Sequence, residues 1–440
     1  MKNLLLIYNA RLVDANIDKK NSAILLSGSK IAGFPEKDTL KKLLADDSVA
    51  KFNAHGSTVM PGFIDTHAHF RDPGLTQKED ITTGSMAAAA GGYTTCVLMP
   101  NTNPVCSSQK MAEENIAKAK EAGYCNIIQT VSITKDFDGK TISHLESLNP
   151  KVVPVITEDG KEVMDSAVMF DAMCLAAKKK LIVACHCEDP FLAAKARPIR
   201  TEALKELHEK NNKTKAAALL KTADALLAQA EDTATLRNIR LAKDTGCHIH
   251  LCHVSTEVCV EAAKKAKAEG QKITFEITPH HIGLSGEKAP NIFNIVNPPL
   301  RSEKDRAALI KALKDGTADC IGTDHAPHTA EDKKNGAPGF SGIETAFAVC
   351  NTVLVKENGM SLKQLSKLMS ANPAEILGLK NVGLLEEGFD ADITIVDTEK
   401  EWKVCGEEFA SKGKFTPLEG KKLTGQVVAT FLKGNITFQA

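Results

Sequence analysis

The stretch that decides the fold runs from residue 61 to residue 74 and reads PGFIDTHAHFRDPG. It opens with a Pro-Gly turn and an apolar run, a pattern typical of a short buried strand. His67 and His69 follow at alternate positions, and residues i and i+2 of a strand point to the same side. Two imidazoles aimed at one point can bind a metal ion, although two ordinary strand histidines would give the same pattern. Arg71 stands two residues further on and faces the same way if the strand continues that far.

Eight short apolar runs begin at residue 62, and most of them are separated by segments with helical periodicity. This alternation predicts an α/β fold with a parallel sheet, and eight units in about 270 residues match a (β/α)8 TIM barrel. A doubly wound open sheet is the alternative, but no Gly-rich nucleotide-binding loop follows an early strand. The predicted strands are 62–70, 94–99, 126–133, 152–157, 181–186, 248–254, 273–278 and 319–323.

The two ends of the chain share a different pattern, in which short apolar runs alternate with turn residues. We expect residues 1–58 and 382–440 to form one small, discontinuous β-rich domain, with the barrel domain, residues 59–381, inserted between them. Residues 188–247 interrupt the barrel rhythm because they separate two strands by more than one helix. Within them, residues 205–230 are strongly helix-prone and are interpreted as a surface helix or an oligomer contact.

The bulk composition argues against several classes of partner. The 55 Lys and Arg residues balance 55 Asp and Glu residues, so net charge offers no reason to expect a nucleic-acid or membrane partner. The 12 cysteines lack a disulfide-scaffold spacing, which fits a reducing cytoplasm better than secretion. The apolar run at the N-terminus is too short for a signal peptide, and no later run reaches about 18 apolar residues.

Histidines collect where the predicted strands end, at the face where TIM-barrel enzymes carry their active sites. Eight of the 13 histidines stand there, which is too many for packing alone to explain. They are His67, His69, His186, His253, His280, His281, His325 and His328. Asp159 follows the fourth strand, and Asp324 follows the eighth.

Histidine combined with carboxylate suits zinc or a similar divalent ion. Four histidines and two aspartates are more ligands than one tetrahedral ion needs. Two metal ions that share a bridging carboxylate and a hydroxide would use them all. A site of that kind points to hydrolysis, or its reverse, at a carbonyl carbon.

Six motifs at these positions resemble the amidohydrolase superfamily and, within it, the dihydroorotase family. They are PGFIDTHAHFRDPG (61–74), MPNT (99–102), CHVST (252–256), TPHH (278–281), NPPLR (297–301) and TDHAPH (323–328). Single motifs are shared with hydantoinases and allantoinases. The arginine after His-x-His, together with TPHH and DHAPH, is specific to dihydroorotases.

The resemblance implies a reversible reaction in which N-carbamoyl-L-aspartate closes to L-dihydroorotate with loss of water, a step of pyrimidine (UMP) biosynthesis. It implies two zinc ions per subunit, bridged by an aspartate and a hydroxide. By the same resemblance, His67 and His69 bind the first zinc together with Asp324, and His186 and His253 bind the second. Asp324 is also the expected general base and acid.

The bridging ligand varies among the relatives, many of which use a carbamylated lysine after the fourth strand. Here the stretch VITEDG, residues 155–160, resembles the bacterial branch in which an aspartate bridges the metals. Asp159 is therefore assigned as the bridge, with Lys161 and Glu158 as alternatives.

The open form of the implied substrate carries two carboxylates. Arg71 offers a carboxylate a planar fork that a lysine would not match. Asn101 and Asn297 precede prolines or follow them closely, so turn formation is an alternative role for both. The substrate contacts that the resemblance implies are Arg71, Asn101, Asn297, His328 and the backbone of Pro338 and Gly339. The register within the loop 329–342 can slip by one or two residues.

Two other interpretations stay open at this stage. A hydantoinase or allantoinase would open related rings and would act little on dihydroorotate. A degenerate homologue would be inactive and would act as a scaffold for aspartate transcarbamoylase, but this chain keeps all six expected metal ligands. The resemblance also implies a homodimer in the cytoplasm and admits a complex with aspartate transcarbamoylase.

Overall fold

A computed structural model describes residues 4–287 and 294–440 of the chain. It combines a parallel α/β barrel with a sheet built from both chain ends, which confirms the predicted fold class. The strands are β1 (Leu4–Val13), β2 (Asp18–Ser27), β3 (Lys30–Gly33), β4 (Ala50–Asn53), β5 (Thr58–Pro61), β6 (Phe63–Ala68), β7 (Tyr93–Leu98), β8 (Asn126–Gln129), β9 (Val131–Ser132), β10 (Val155–Thr157), β11 (Ile182–Cys185), β12 (His248–Leu251), β13 (Ile273–Ile277), β14 (Cys320–Ile321), β15 (Ile393–Lys403), β16 (Lys422–Leu432) and β17 (Asn435–Gln439).

The helices lie mostly between the barrel strands. The α-helices are α1 (Lys37–Ala45), α2 (Ile81–Ala90), α3 (Gln109–Ala122), α4 (Ser166–Lys179), α5 (Pro190–His208), α6 (Lys213–Thr245), α7 (Glu257–Ala268), α8 (Pro279–Gly283), α9 (Glu303–Asp315), α10 (Ala330–Lys334), α11 (Ala346–Cys350), α12 (Leu362–Ser366) and α13 (Asn372–Ile376). Two π-helical segments, Asn351–Glu357 and Lys367–Ala371, continue α11 and α12. In the part of the chain that is described, none of the helices is long and apolar enough to span a membrane.

The barrel closes where its first and last strands meet. Strands β6 to β8 pair in parallel, and so do β9 to β14, while β8 and β9 are one strand interrupted at Thr130. A parallel bridge joins Ala68 to His325, and the Asp324 amide donates to His67 O at 2.9 Å. Each of the eight predicted strands overlaps an observed one, so the barrel prediction is confirmed.

Both chain ends enter a second sheet, in the order β17-β16-β15-β5-β1-β2-β3, with β4 paired to β1. Strand β5 lies parallel to β1 and antiparallel to β15, and then leads through Gly62 into β6. The terminal sheet therefore adjoins the first barrel strand directly. The domain boundaries after residues 58 and 381 stay a prediction.

The excursion between the fifth and sixth strands is a pair of helices, α5 and α6. The chain turns at Asn211, which has φ +50°, and Asn212 caps α6 by accepting from the Lys215 amide at 3.2 Å. Asparagine side chains compete for backbone donors, so they end one helix and start the next. Residues 205–230 are mostly exposed or half-buried, as a surface helix would be, whereas α6 becomes more buried after residue 230, at Ala234 and Asn238 for example.

Aromatic packing anchors the root of β6, four residues before the first metal-ligand candidate. Phe63 is fully buried, stacks on Phe347 at a centroid distance of 5.6 Å and meets the edge of Tyr93 at 5.6 Å. Gly92 lies against this group with φ +86°, where a Cβ would come within 2.6 Å of Thr394 Cγ2. This close packing fixes the start of β6 and therefore the position of His67 on the same strand.

We expect Phe63→Ala to destabilise the protein by about 3–5 kcal/mol, because the removed ring leaves a cavity that its neighbours cannot fill. The measurement is the thermal unfolding midpoint. Leu44→Ala, on the exposed face of α1, serves as the control and should change the midpoint little. Equal shifts for the two variants would contradict this account of the barrel root.

Candidate metal centre and substrate pocket

The carboxylate of Asp159 lies among four imidazoles at the C-terminal end of the barrel. Its Oδ1 is 3.3 Å from His67 Nε2, 3.3 Å from His186 Nδ1 and 3.9 Å from His253 Nε2. Its Oδ2 is 3.5 Å from His69 Nε2. Each of these residues is at least nine-tenths buried. The structure thus brings together side chains from four different barrel strands.

Asp324 completes this cluster from the end of β14. Its Oδ1 lies 3.1 Å from His69 Nε2 and 3.6 Å from His67 Nε2. Asp324 has φ +47°, and His253 has φ +36°, both in the left-handed region that L-residues seldom adopt. Strained backbone of this kind is concentrated at functional sites.

The donor set fits divalent cations. His67, His69 and Asp324 place ligand atoms within 4.8 Å of one another, and so do His67, Asp159 and His253. His67 Nε2 and Asp159 Oδ1 are buried without a hydrogen-bond partner among the described residues. Buried polar atoms rarely stay unsatisfied unless an ion or a ligand completes them. Imidazole with carboxylate is the set that zinc prefers.

Asp159 and His253 have the protonation states that metal ligands require, whereas the pKa values of His67 and His186 are raised by neighbouring carboxylates. Burial acts to raise the pKa of Asp159, but the charges of His67 and His69 outweigh it and hold that pKa well below its usual range. Burial and the neighbouring charges of His186 and His67 lower the pKa of His253 to about 3. Burial acts to lower the pKa of His186, but the adjacent Asp159 carboxylate outweighs that effect and raises the pKa to about 9. A cation bound here would displace the proton of His186.

Two oxygen acceptors orient the first pair of histidines. Glu276 Oε1 accepts from His67 Nδ1 at 2.9 Å, and Asn101 Oδ1 accepts from His69 Nδ1 at 3.0 Å. Each contact fixes the tautomer and leaves Nε2 pointing at the carboxylates. Sequence reasoning missed Glu276. Its signal was a lone carboxylate within the apolar strand β13.

Asp65 supports the cluster from beneath. Its Oδ1 accepts from the Thr323 amide at 2.8 Å, and its Oδ2 accepts from the Thr323 hydroxyl. Burial raises the pKa of Asp65 to about 7. Asp65 therefore holds Thr323, the residue before Asp324, and its Oδ1 also accepts from the His67 amide at 3.2 Å.

The two alternatives to Asp159 lie outside the cluster. Glu158 accepts from the Thr134 amide at 2.9 Å and from the Thr134 hydroxyl, so its carboxylate faces the preceding loop. Lys161 is exposed, and its Nζ stands 5.4 Å from the centroid of the Phe137 ring.

A buried guanidinium without a counter-ion stands beside the cluster. Arg71 is 9% exposed, and its Nε has no hydrogen-bond partner among the described residues. Its Nη2 lies 3.4 Å from His328 Nε2, which in turn lies 2.9 Å from Pro338 O. Burial and the charge of Arg71 lower the pKa of His328 to about 3, so this imidazole is neutral. No carboxylate in residues 4–287 or 294–440 pairs with Arg71, which leaves its fork available to an anion.

A residue of the helical excursion holds the side chain of Asn297. Arg200, on α5, donates through Nη1 to Asn297 Oδ1 at 2.6 Å. Because arginine only donates, this contact directs the amide nitrogen of Asn297 the other way, as a donor. His281 Nε2 lies 3.1 Å from Pro298 O and steadies the same loop. Sequence reasoning missed Arg200, since nothing local marks which helical arginine reaches a distant loop.

Known proteins share both the sequence and the fold. The model of the amidohydrolase family matches residues 58–437. A dihydroorotase of Clostridium botulinum (strain Eklund 17B) is 42% identical over 438 residues, covering 99% of each chain. A dihydroorotase of Bacillus subtilis (strain 168) is 38% identical over 440 residues, covering 99% of this chain and 98% of that protein.

A solved L-hydantoinase (dihydropyrimidinase) from Arthrobacter aurescens has the same fold. It superposes with a TM-score of 0.85 at 24% identity, over 99% of this chain and 96% of that one. The identity is too low to carry function, whereas the two relatives above match over their whole length. The chain therefore belongs to the amidohydrolase family and, within it, to the dihydroorotases.

Proposed function

We propose that this chain catalyses the reversible, zinc-dependent cyclisation of N-carbamoyl-L-aspartate to L-dihydroorotate and water in pyrimidine biosynthesis. The observation that carries the substrate assignment is Arg71, a buried guanidinium that lacks a carboxylate partner and adjoins the His and Asp cluster. An anionic ring substrate supplies that partner. A hydantoin ring without a carboxylate would leave this charge buried and unpaired, at a cost in binding.

The proposed ligand sets are His67, His69 and Asp324 for one zinc ion, and His186 and His253 for the other, with Asp159 as the bridge. The positions of the two Asp159 oxygens, turned to different histidines, support the bridging role. Bound zinc ions polarise a carbonyl and lower the pKa of water.

Asp324 is the proposed proton carrier. Burial acts to raise its pKa, but the hydrogen bond with His69 and the neighbouring imidazole charges hold it below the usual value. In hydrolysis, the water oxygen bonds to the ring carbonyl carbon while Asp324 takes a water proton. The carbon–nitrogen bond then breaks, and Asp324 gives the proton to the leaving nitrogen. Cyclisation runs through the same steps in reverse.

The rest of the pocket holds the substrate. Arg71 pairs with a carboxylate, and the amide nitrogen of Asn297 donates to the substrate because Arg200 occupies the amide oxygen. His328, which adjoins Arg71, and the backbone at Pro338 and Gly339 supply the remaining proposed contacts. Asn101 acts through the orientation of His69 as well as through the predicted substrate contact.

The proposed compartment is the cytoplasm. All 12 cysteines are free, and the Sγ atoms of Cys96 and Cys125 lie 3.7 Å apart as thiols, as expected in a reducing compartment. The proposed homodimer and the complex with aspartate transcarbamoylase rest on the family resemblance. Analytical ultracentrifugation of the chain, alone and with the transcarbamoylase, measures both.

We expect Asp324→Asn to lower kcat in both directions by about 10²- to 10⁴-fold, because an amide cannot accept the proton. Activity is measured as dihydroorotate hydrolysis and carbamoyl-aspartate cyclisation, and bound metal is measured in parallel. Asp319→Asn, on the same segment but paired with Lys267 outside the cluster, is the matched control. Full activity in an Asp324→Asn variant with normal metal content would refute the assigned base.

Asp159→Asn should weaken metal binding by more than the roughly 10- to 100-fold that is typical of residues behind the ligands. The measurement is zinc per chain after dialysis against a graded chelator. Glu158→Gln is the control, since Glu158 bonds only to the Thr134 segment and should leave zinc content unchanged. If Glu158→Gln lost zinc and Asp159→Asn kept it, the bridge would have to be reassigned.

Arg71→Lys should raise KM for L-dihydroorotate about 10- to 100-fold with a smaller effect on kcat, because lysine cannot form the two-pronged contact. Steady-state kinetics measure this, with the exposed Arg197→Lys as the control. Dihydrouracil, which lacks the carboxylate, should be a poor substrate for the unaltered chain. Equal kcat/KM for the two rings would favour the hydantoinase alternative instead.

A further inference from the structure

One buried cation, Lys333, has no part in the proposed chemistry. Lys333 is 0% exposed, although it lies on the short helix α10 next to the exposed Lys334. Within residues 4–287 and 294–440, no carboxylate forms an ion pair with its ammonium group. A buried charge without a counter-ion is costly, so something else must stabilise it.

Three backbone carbonyls surround this ammonium group. Lys333 Nζ donates to Gly339 O at 2.6 Å, to Ala337 O at 2.7 Å and to Ile295 O at 3.3 Å. An ammonium has three hydrogens, so all three donors are satisfied by main-chain oxygens. The ammonium group of Lys333 is therefore surrounded by carbonyl oxygens, as a bound metal cation would be.

The carbonyls belong to the two loops that carry predicted substrate contacts. Gly339 is itself such a contact, and Ile295 stands two residues before Asn297. The Gly339 amide also donates to Ile295 O at 2.9 Å, so the loops meet at one oxygen. Gly339 has φ +113°, and a Cβ there would lie 2.7 Å from the Ala326 Cβ, which leaves the loop little room to shift.

The helix that presents Lys333 is itself fixed at its start. Thr329 and Asp332 form a capping box, and Asp332 also pairs with Lys78 at 3.2 Å. Burial and the charge of Arg200 lower the pKa of Lys333 to about 7, whereas the carbonyl dipoles favour its charged form. An apolar side chain would fill this space without a buried charge, but it would leave three carbonyls unpaired.

We propose that Lys333 is a positioning residue that joins the two substrate loops and sets the place of Pro338, Gly339 and Asn297 for the proposed reaction. It acts through the backbone and does not touch the substrate. The inference rests on the proposed function, because it concerns the loops that bind the ring.

The test compares Lys333→Met with Lys334→Met in the full chain loaded with zinc. Lys333→Met removes the three donors at nearly constant volume, and we expect KM for L-dihydroorotate to rise about tenfold or more. Zinc content should stay unchanged, and kcat should change less than KM. Lys334→Met should behave as the unaltered chain does. Limited proteolysis should cut the segment 329–342 faster in Lys333→Met only.

A double-mutant cycle separates positioning from a general loss of stability. If Lys333 acts through the loop that contacts His328, the KM effects of Lys333→Met and His328→Ala will be less than additive. Should Lys333→Met fail to fold, Lys333→Gln, which keeps two donors, takes its place in the same measurements. An unaltered KM in the folded variant, or fully additive effects, would overturn the inference. Absence of dihydroorotate turnover in the unaltered chain would instead overturn the proposed function.

Discussion

The contact on which the rest of the site depends is the carboxylate of Asp159 among four imidazoles. Its two oxygens face different histidines. The strands that carry these histidines must therefore end at the same level along the barrel axis. A parallel barrel provides this, because all its strands end at one face and tilt by the same amount. Because burial largely excludes water, the Asp159 oxygens and the imidazole nitrogens that face them depend on each other or on a bound cation for their partners.

Barrel closure is the second constraint, and it acts on the same residues. The Asp324 amide donates to His67 O, and the Asp65 carboxylate accepts from the Thr323 amide. The first and last barrel strands are therefore joined by hydrogen bonds beside the candidate ligands. Behind them, Glu276 accepts from His67 and fixes its tautomer. Buried hydrogen bonds of this kind restrict the motion of the residues that they join. The proposed metal ligands His67 and Asp324 are therefore positioned before any cation binds.

Two buried cations beside the cluster show how differently a charge can be accommodated. Arg71 has no counter-ion among the described residues and keeps its fork free, which suits the proposed anion site. Lys333 is saturated by three carbonyls and has nothing left to offer a ligand. The helical excursion also contributes, because Arg200 on α5 sets the amide of Asn297. Substrate recognition thus draws on elements outside the barrel strands.

The sequence by itself determined the barrel and the candidate ligands, since period-two apolar runs and the polar residues that follow them are local patterns. His67, His69, Asp159 and Asp324 were located in that way, and the motif resemblance added their roles and that of Arg71. Only the tertiary structure revealed Glu276, Arg200 and Lys333 as supports. Glu276 and Arg200 contact residues that are distant in sequence. Lys333 contacts backbone carbonyls, which every residue has, so no sequence pattern marks them. The split of the excursion into α5 and α6 was missed as well, because helix propensity summed over residues 205–230 outweighed the capping signal of one asparagine.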